Sequence, residues 1–211
     1  DKEAEVIADC LRVIELDESN HLAWFLMAKA KRTTGGQLGA IADLTKAIAL
    51  KDDFTDAYLL RAEVLLAMKQ GQEALPDIEK AISLAPEEET TYLVRGKIHE
   101  SLGDLDAATD DYQQALDLNP FNEDACILKG SLLITKNLLD EAIVFFDEAI
   151  EIKPDFAKAY AERGRAKNQK GDKEGAFEDL KKSIELNPEG EEAKKFEGQH
   201  NFDNMYKGGI F

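Results

Sequence analysis

Few side chains in this sequence are of the kind that does chemistry. The histidines are His21, His99 and His200, and the cysteines are Cys10 and Cys126. A metal site needs such ligands at close or characteristic separations, and none of these is so spaced. His99 is expected to pack rather than to ligate. Cys10 and Cys126 fall on apolar columns far apart in the chain, which points to two buried free thiols rather than a disulfide. Free thiols lean toward a reducing, cytoplasmic setting, with export left open. No glycine-rich loop is built to cradle phosphate, and no Ser–His–Asp or Cys–His set can be assembled. The expectation is a protein that is not an enzyme, with no metal and no cofactor.

The charged residues are more informative, because they recur. Arg61, Arg95, Lys129 and Arg163 stand 34 residues apart, as do Asp43, Asp77 and Asp111, with Asp179 in phase and Phe145 interrupting the column. A half-buried arginine suits a bidentate carboxylate. The columns predict a structural charge ladder of Arg–Asp pairs, within a repeat or between neighbours, that draws on Arg61, Asp77, Arg95, Asp111, Arg163 and Asp179. The functional alternative is that these arginines bind an acidic ligand. The run Glu87-Glu88-Glu89 is placed at a helix start, where negative charge is favourable.

The same 34-residue step runs through other residue types. Tyr160, Cys126, Tyr92, Tyr58 and Trp24 form one column, and Ala176, Ala142, Ala108, Ala74 and Ala40 another. Ser183 steps back to Ala149, Ala115, Ala81 and Ala47, and Pro188 to Pro154, Pro120, Pro86 and then Asp52. Columns in phase over so many periods settle the architecture as a repeat. Each unit holds two segments with apolar or small residues at three and four spacing, such as Tyr58–Met68 and Asp106–Leu118, which is helical periodicity. Between them stand Gly35, Gly71, Gly103, Asn137 and Gly171 as helix-ending residues. Asp104 and Asp172 are placed to cap the helices that follow. The alanines mark close helix packing, and the prolines close each unit. Pro76 and the late Gly71 predict a delayed start or a kink in one second helix, since an interior proline costs about 3 kcal/mol.

This pattern resembles the tetratricopeptide repeat, with Tyr160, Gly164, Ala176, Leu180, Ser183 and Pro188 as its matching residues in the fifth unit. The resemblance runs from Leu22 to about Pro188. It implies an all-α fold, a right-handed α-solenoid of helix-turn-helix repeats. The units expected are 21–54, 55–88, 89–122, 123–156 and 157–190. Residues 1–20 read as the second helix of a partial repeat and point to a processed or trimmed chain. Residues 191–211 read as a short capping helix over Glu191–Glu197, then a tail bearing Phe202, Met205, Tyr206, Ile210 and Phe211 that docks on its own or a neighbouring molecule. Such docking would allow a homo-oligomer. The related pentatricopeptide repeat reads RNA, but a formal charge of −17 and a pI of about 4.6 oppose a phosphate backbone. Nucleic acid is therefore excluded as a partner. No apolar run is long enough to insert in a membrane.

The resemblance further implies a non-catalytic scaffold that binds a protein or peptide on the concave face lined by the first helices. The residues expected to line that groove are Phe25, Lys29, Leu59, Leu60, Glu63, Leu93, Val94, Lys97, Ile127, Leu128, Ser131 and Arg165. If half of the apolar members stay exposed they form a patch of roughly 500 Å², large enough to bind an apolar or amphipathic helix. The carboxylate clamp of chaperone-binding relatives is not matched, since only Lys29 fits it.

Overall fold

The fold follows from the turn chemistry at each break in the helical pattern. The computed structural model describes residues 2–190, and the expected cap and tail at 191–211 lie outside them. The described residues form helices and connecting turns with no strand. The described residues make two compact units that meet in sequence between Leu118 and Asn119. The first holds α1 (Lys2–Leu16), α2 (His21–Thr33), α3 (Gln37–Leu50), α4 (Thr55–Ala67), α5 (Gly71–Leu84), α6 (Glu89–Ser101) and α7 (Leu105–Leu118). The second holds α8 (Glu123–Thr135), α9 (Leu139–Ile152), α10 (Ala157–Lys170) and α11 (Lys173–Leu186). The chain is thus an all-α fold of repeated helix pairs.

Side chains cap several of the helix starts. Asn20 and Asn122 accept from the amides of Ala23 and Ala125, Asp104 from Ala107 and Asp172 from Gly175. Each satisfies a donor that the first turn leaves open. Within each pair, the residue that turns the chain has positive φ: Gly35, Lys69, Gly103, Asn137 and Gly171. Lys69 corrects the sequence reading, which gave this role to Gly71. Gly71 is instead the first residue of α5, in register with Gln37, Leu105, Leu139 and Lys173. A Cβ on Gly71 would fall 2.6 Å from Ser101 Oγ, so close packing against the end of α6 favours glycine there. The helix therefore does not start late. Pro76 lies inside α5 on its exposed side, as does Gln72, whose carbonyl loses its helical donor to the proline.

In the four pairs from α2 to α9 the core holds one matched contact between the helices. Leu44, Ile78, Tyr112 and Phe146 are buried on the second helices. Sixteen residues before each stand Ala28, Ala62, Gly96 and Gly130 on the first helices. As the second-helix side chain grows, its partner shrinks from alanine to glycine. A Cβ on Gly96 would meet Tyr112 at 2.5 Å, and one on Gly130 would meet Phe146 at 2.6 Å. The alanine columns at Ala40, Ala74, Ala108 and Ala142, and at Ala47, Ala81, Ala115 and Ala149, are fully buried. Trp24 lies between two clusters, one with Cys10, Ile14 and Met27, the other with Ala28, Leu44 and Phe54.

Candidate functional site

Burial sorts the residues on the first helices into those used for packing and those left to solvent. Leu60, Leu93, Val94 and Ile127 are buried, between 1% and 7% exposed. They were expected to line a groove, and the structure corrects this. Leu60 belongs to the cluster of Ala28, Leu44 and Ala57, and Val94 to that of Ala62, Ile78 and Ile98. Within the first unit Leu60 and Val94 thus fill the seam between successive first helices. Phe25, Leu59 and Leu128 are half-buried. Phe25 packs on Phe54 at 4.9 Å between ring centroids.

A polar column also stays open along the first helices. In the first unit it consists of Lys29, Glu63 and Lys97, of which Lys29 and Lys97 are exposed and Glu63 is half-buried beside Arg32. In the second unit it consists of half-buried Ser131 and exposed Arg165, the latter 3.1 Å from Glu162.

The arginines of the other charge column are held within the fold. Arg61 Nε and Nη2 donate to the two oxygens of Asp77 at 2.7 and 2.6 Å. Arg95 donates to Asp111 from Nε at 2.9 Å and Nη2 at 2.6 Å, and Arg163 to Asp179 at 2.9 and 2.5 Å. These forks also reach backward. Arg61 donates to Thr45, and Arg163 to Asp147 at 2.6 Å, both on the preceding second helix. Where Phe145 replaces the aspartate, Lys129 Nζ lies over its ring at 4.5 Å.

A further contact, which the sequence reading missed, reaches Asp111 and Asp179 and also Asp43, where Met27 stands in place of the arginine. Lys31 lies 2.6 Å from Asp43, His99 Nδ1 2.9 Å from Asp111, and Lys167 2.8 Å from Asp179. Each stands twelve residues before its aspartate, a spacing visible in the sequence. His99 is thus tied to the ladder rather than simply packed.

The electrostatics follow from this geometry. Hydrogen bonds to Asp77, Asp111 and Asp179 raise the pKa values of Arg61, Arg95 and Arg163. Burial pushes the Asp179 carboxyl up, yet the bonds from Arg163 and Lys167 outweigh it and leave its pKa below the ordinary value. Burial pushes the Cys126 thiol up to about 11, and Cys10 is raised too, so both stay protonated. Among the described residues both cysteines are free and buried, and no His, Cys, Asp and Glu group is placed to hold a metal. No helix among them is long and apolar enough to cross a membrane.

The aromatic column has a polar role as well. Trp24 Nε1 donates to the Glu18 carbonyl at 3.1 Å, Tyr92 to Pro86 at 3.0 Å and Tyr160 to Pro154 at 3.3 Å. Each bond pins the turn before its helix pair to the first helix.

Comparison with known proteins agrees with this architecture. A search of curated protein sequences gives no match. Among solved structures the chain is similar to PilW, a type IV pilus biogenesis factor, at 17% identity and a TM-score of 0.84, covering 92% of this chain and 90% of PilW. It is similar to MamA at 26% identity and a TM-score of 0.67, covering 81% and 97%. It is also similar to YrrB, described as a TPR protein with an unusual peptide-binding site, at 24% identity and a TM-score of 0.64, covering 90% and 97%. Profiles of the tetratricopeptide repeat match residues 55–88, 90–122, 123–156 and 157–189. The chain belongs to the tetratricopeptide repeat family.

Proposed function

We propose that this protein is a non-catalytic interaction scaffold that binds a peptide segment of another protein along the exposed face of its first helices. One observation carries the reading. The columns that pack are nearly uniform from unit to unit, whereas the exposed column changes sign and size, through Lys29, Glu63 and Lys97 in the first unit and Ser131 and Arg165 in the second. Packing does not demand such variation, and a varied row of charges on rigid helices suits recognition of a particular peptide. Half-buried Phe25, Leu59 and Leu128 add apolar surface beside it. The peptide-binding site named for YrrB is compatible with this use of the fold.

Selection of a displayed random-peptide library on the immobilised chain tests the reading. Lys29→Glu with Lys97→Glu should lose the selected peptides while keeping its helicity, since both side chains are exposed. Failure to enrich any peptide, or equal binding by the folded double variant, overturns it.

A further inference from the structure

The turn that leads into α8 departs from its counterparts in two places at once. The residue after the proline column is acidic elsewhere, as Asp53, Glu87 and Asp155, but here it is Phe121. On the second helix that follows, the place held by Lys46, Lys80, Gln114 and Lys182 is Glu148 in α9. Asp53 thus goes with Lys80, and Asp155 with Lys182, so that turn and helix balance in charge. In the α8–α9 pair an aromatic ring goes with a carboxylate instead.

Phe121 and Glu148 line one cleft of about 720 Å³, completed by Pro120, Glu151 and Ile152. Phe121 is 77% exposed. Its backbone is fixed, because its amide donates to Asn119 Oδ1 at 3.2 Å. Glu148 and Glu151 are exposed on the same face of α9, one turn apart.

Charge tells what suits the cleft. α9 carries Asp140, Glu141, Asp147, Glu148 and Glu151 and no lysine or arginine. Lys170 meets Asp140, and Arg163 meets Asp147 at 2.6 Å. Among the described residues no salt bridge reaches Glu148 or Glu151. The basic residue closest to them in sequence, Lys153, is engaged with Glu123 at 3.2 Å and with the Phe156 ring at 4.9 Å. An open ring beside two unmatched carboxylates is complementary to a cation on an apolar stem. The chain itself seats cations on rings in this way, with Lys51 over Phe54 and Lys129 over Phe145.

We infer that this cleft is a second docking surface, separate from the polar column of the first helices, and that it takes an arginine side chain of a partner protein. The guanidinium pairs with Glu148 and Glu151, while its plane and stem cover Phe121 and Ile152.

The probe is a blocked Gly-Arg-Gly peptide, titrated into the isotope-labelled full chain at physiological salt and followed by amide shifts. Saturable shifts centred on Phe121, Glu148, Glu151 and Ile152 are expected. They should be lost with the citrulline counterpart, which keeps the shape without the charge. Glu148→Lys and Phe121→Asp each install, at an exposed position, the residue type that other units carry. Each should weaken binding by roughly tenfold or more and leave the helicity unchanged. Absence of shifts in the cleft at millimolar peptide, or equal shifts with the citrulline peptide, overturns the inference. So do shifts spread evenly over the exposed carboxylates of the chain. Equal shifts from calcium ions alone overturn it by making the cleft a patch for any cation. Concentration-dependent shifts of the cleft without peptide overturn it by making a second copy the occupant.

Discussion

The Cβ that Gly96 lacks would lie 2.5 Å from Cε1 of Tyr112, a ring that is fully buried and whose hydroxyl donates to Glu100 at 2.9 Å. The ring is anchored at both ends and cannot simply swing aside. Gly96→Ala should therefore destabilise the first unit by about 1–3 kcal/mol, although alanine is the better helix former. Adding Tyr112→Leu, the residue type found at Leu44 opposite Ala28, should recover part of the loss. Chemical denaturation of the two variants checks this, and a neutral Gly96→Ala would contradict the packing argument.

Arg95 and Asp111 are coupled, and His99 is their third member. Arg95→Met leaves a carboxylate with 4% side-chain exposure facing His99 alone. The expected cost is about 2 kcal/mol, below that of a wholly buried pair because the arginine is partly exposed. Removing both charges with Arg95→Met and Asp111→Leu should cost less than Arg95→Met alone. A double-mutant cycle by urea denaturation reads the difference, and strict additivity would contradict coupling.

Asp179 gives the pH dependence. Its folded pKa lies below the ordinary value of 3.8, so its ionised form stabilises the fold above that value. The contribution is lost as pH falls from about 3.8 through the lower folded pKa. Wild type should therefore exceed Asp179→Asn in urea midpoint at pH 6, with the gap closing below pH 3.8. A gap of constant size from pH 6 to pH 2 would show that the carboxylate charge is not what stabilises this position.

Pro76 is the one proline inside a described helix. Pro76→Ala restores an amide donor to the Gln72 carbonyl and removes a steric clash, against a small entropic loss from the unfolded chain. The variant should gain about 2 kcal/mol in stability, read as a higher thermal midpoint. A lower midpoint would mean that the surrounding turn depends on the proline.

The repeat was readable in the sequence because its columns are governed by local rules. Alanine at Ala74 or Ala108 reports close helix packing, and Asp104 and Asp172 report caps, wherever they occur. Gly71 misled because glycine serves two ends: it was read as a turn residue, but α6 crowds it, and Lys69 makes the turn. The groove misled for a different reason. Leu60 and Val94 look exposed when one helix is considered alone, and their burial depends on the neighbouring first helix. An aspartate at Leu60 would disrupt the core rather than a binding surface. The pairing of Gly96 with Tyr112 and of His99 with Asp111 had a fixed spacing in the sequence, but only side-chain geometry shows which spacing is a contact.

The most direct test of the scaffold reading is amide shift mapping of the full chain with a library-selected peptide. The account predicts the largest saturable shifts along the first helices, around Lys29, Glu63 and Lys97 in the first unit. Shifts confined to the second helices and the turn at Phe121 would contradict it.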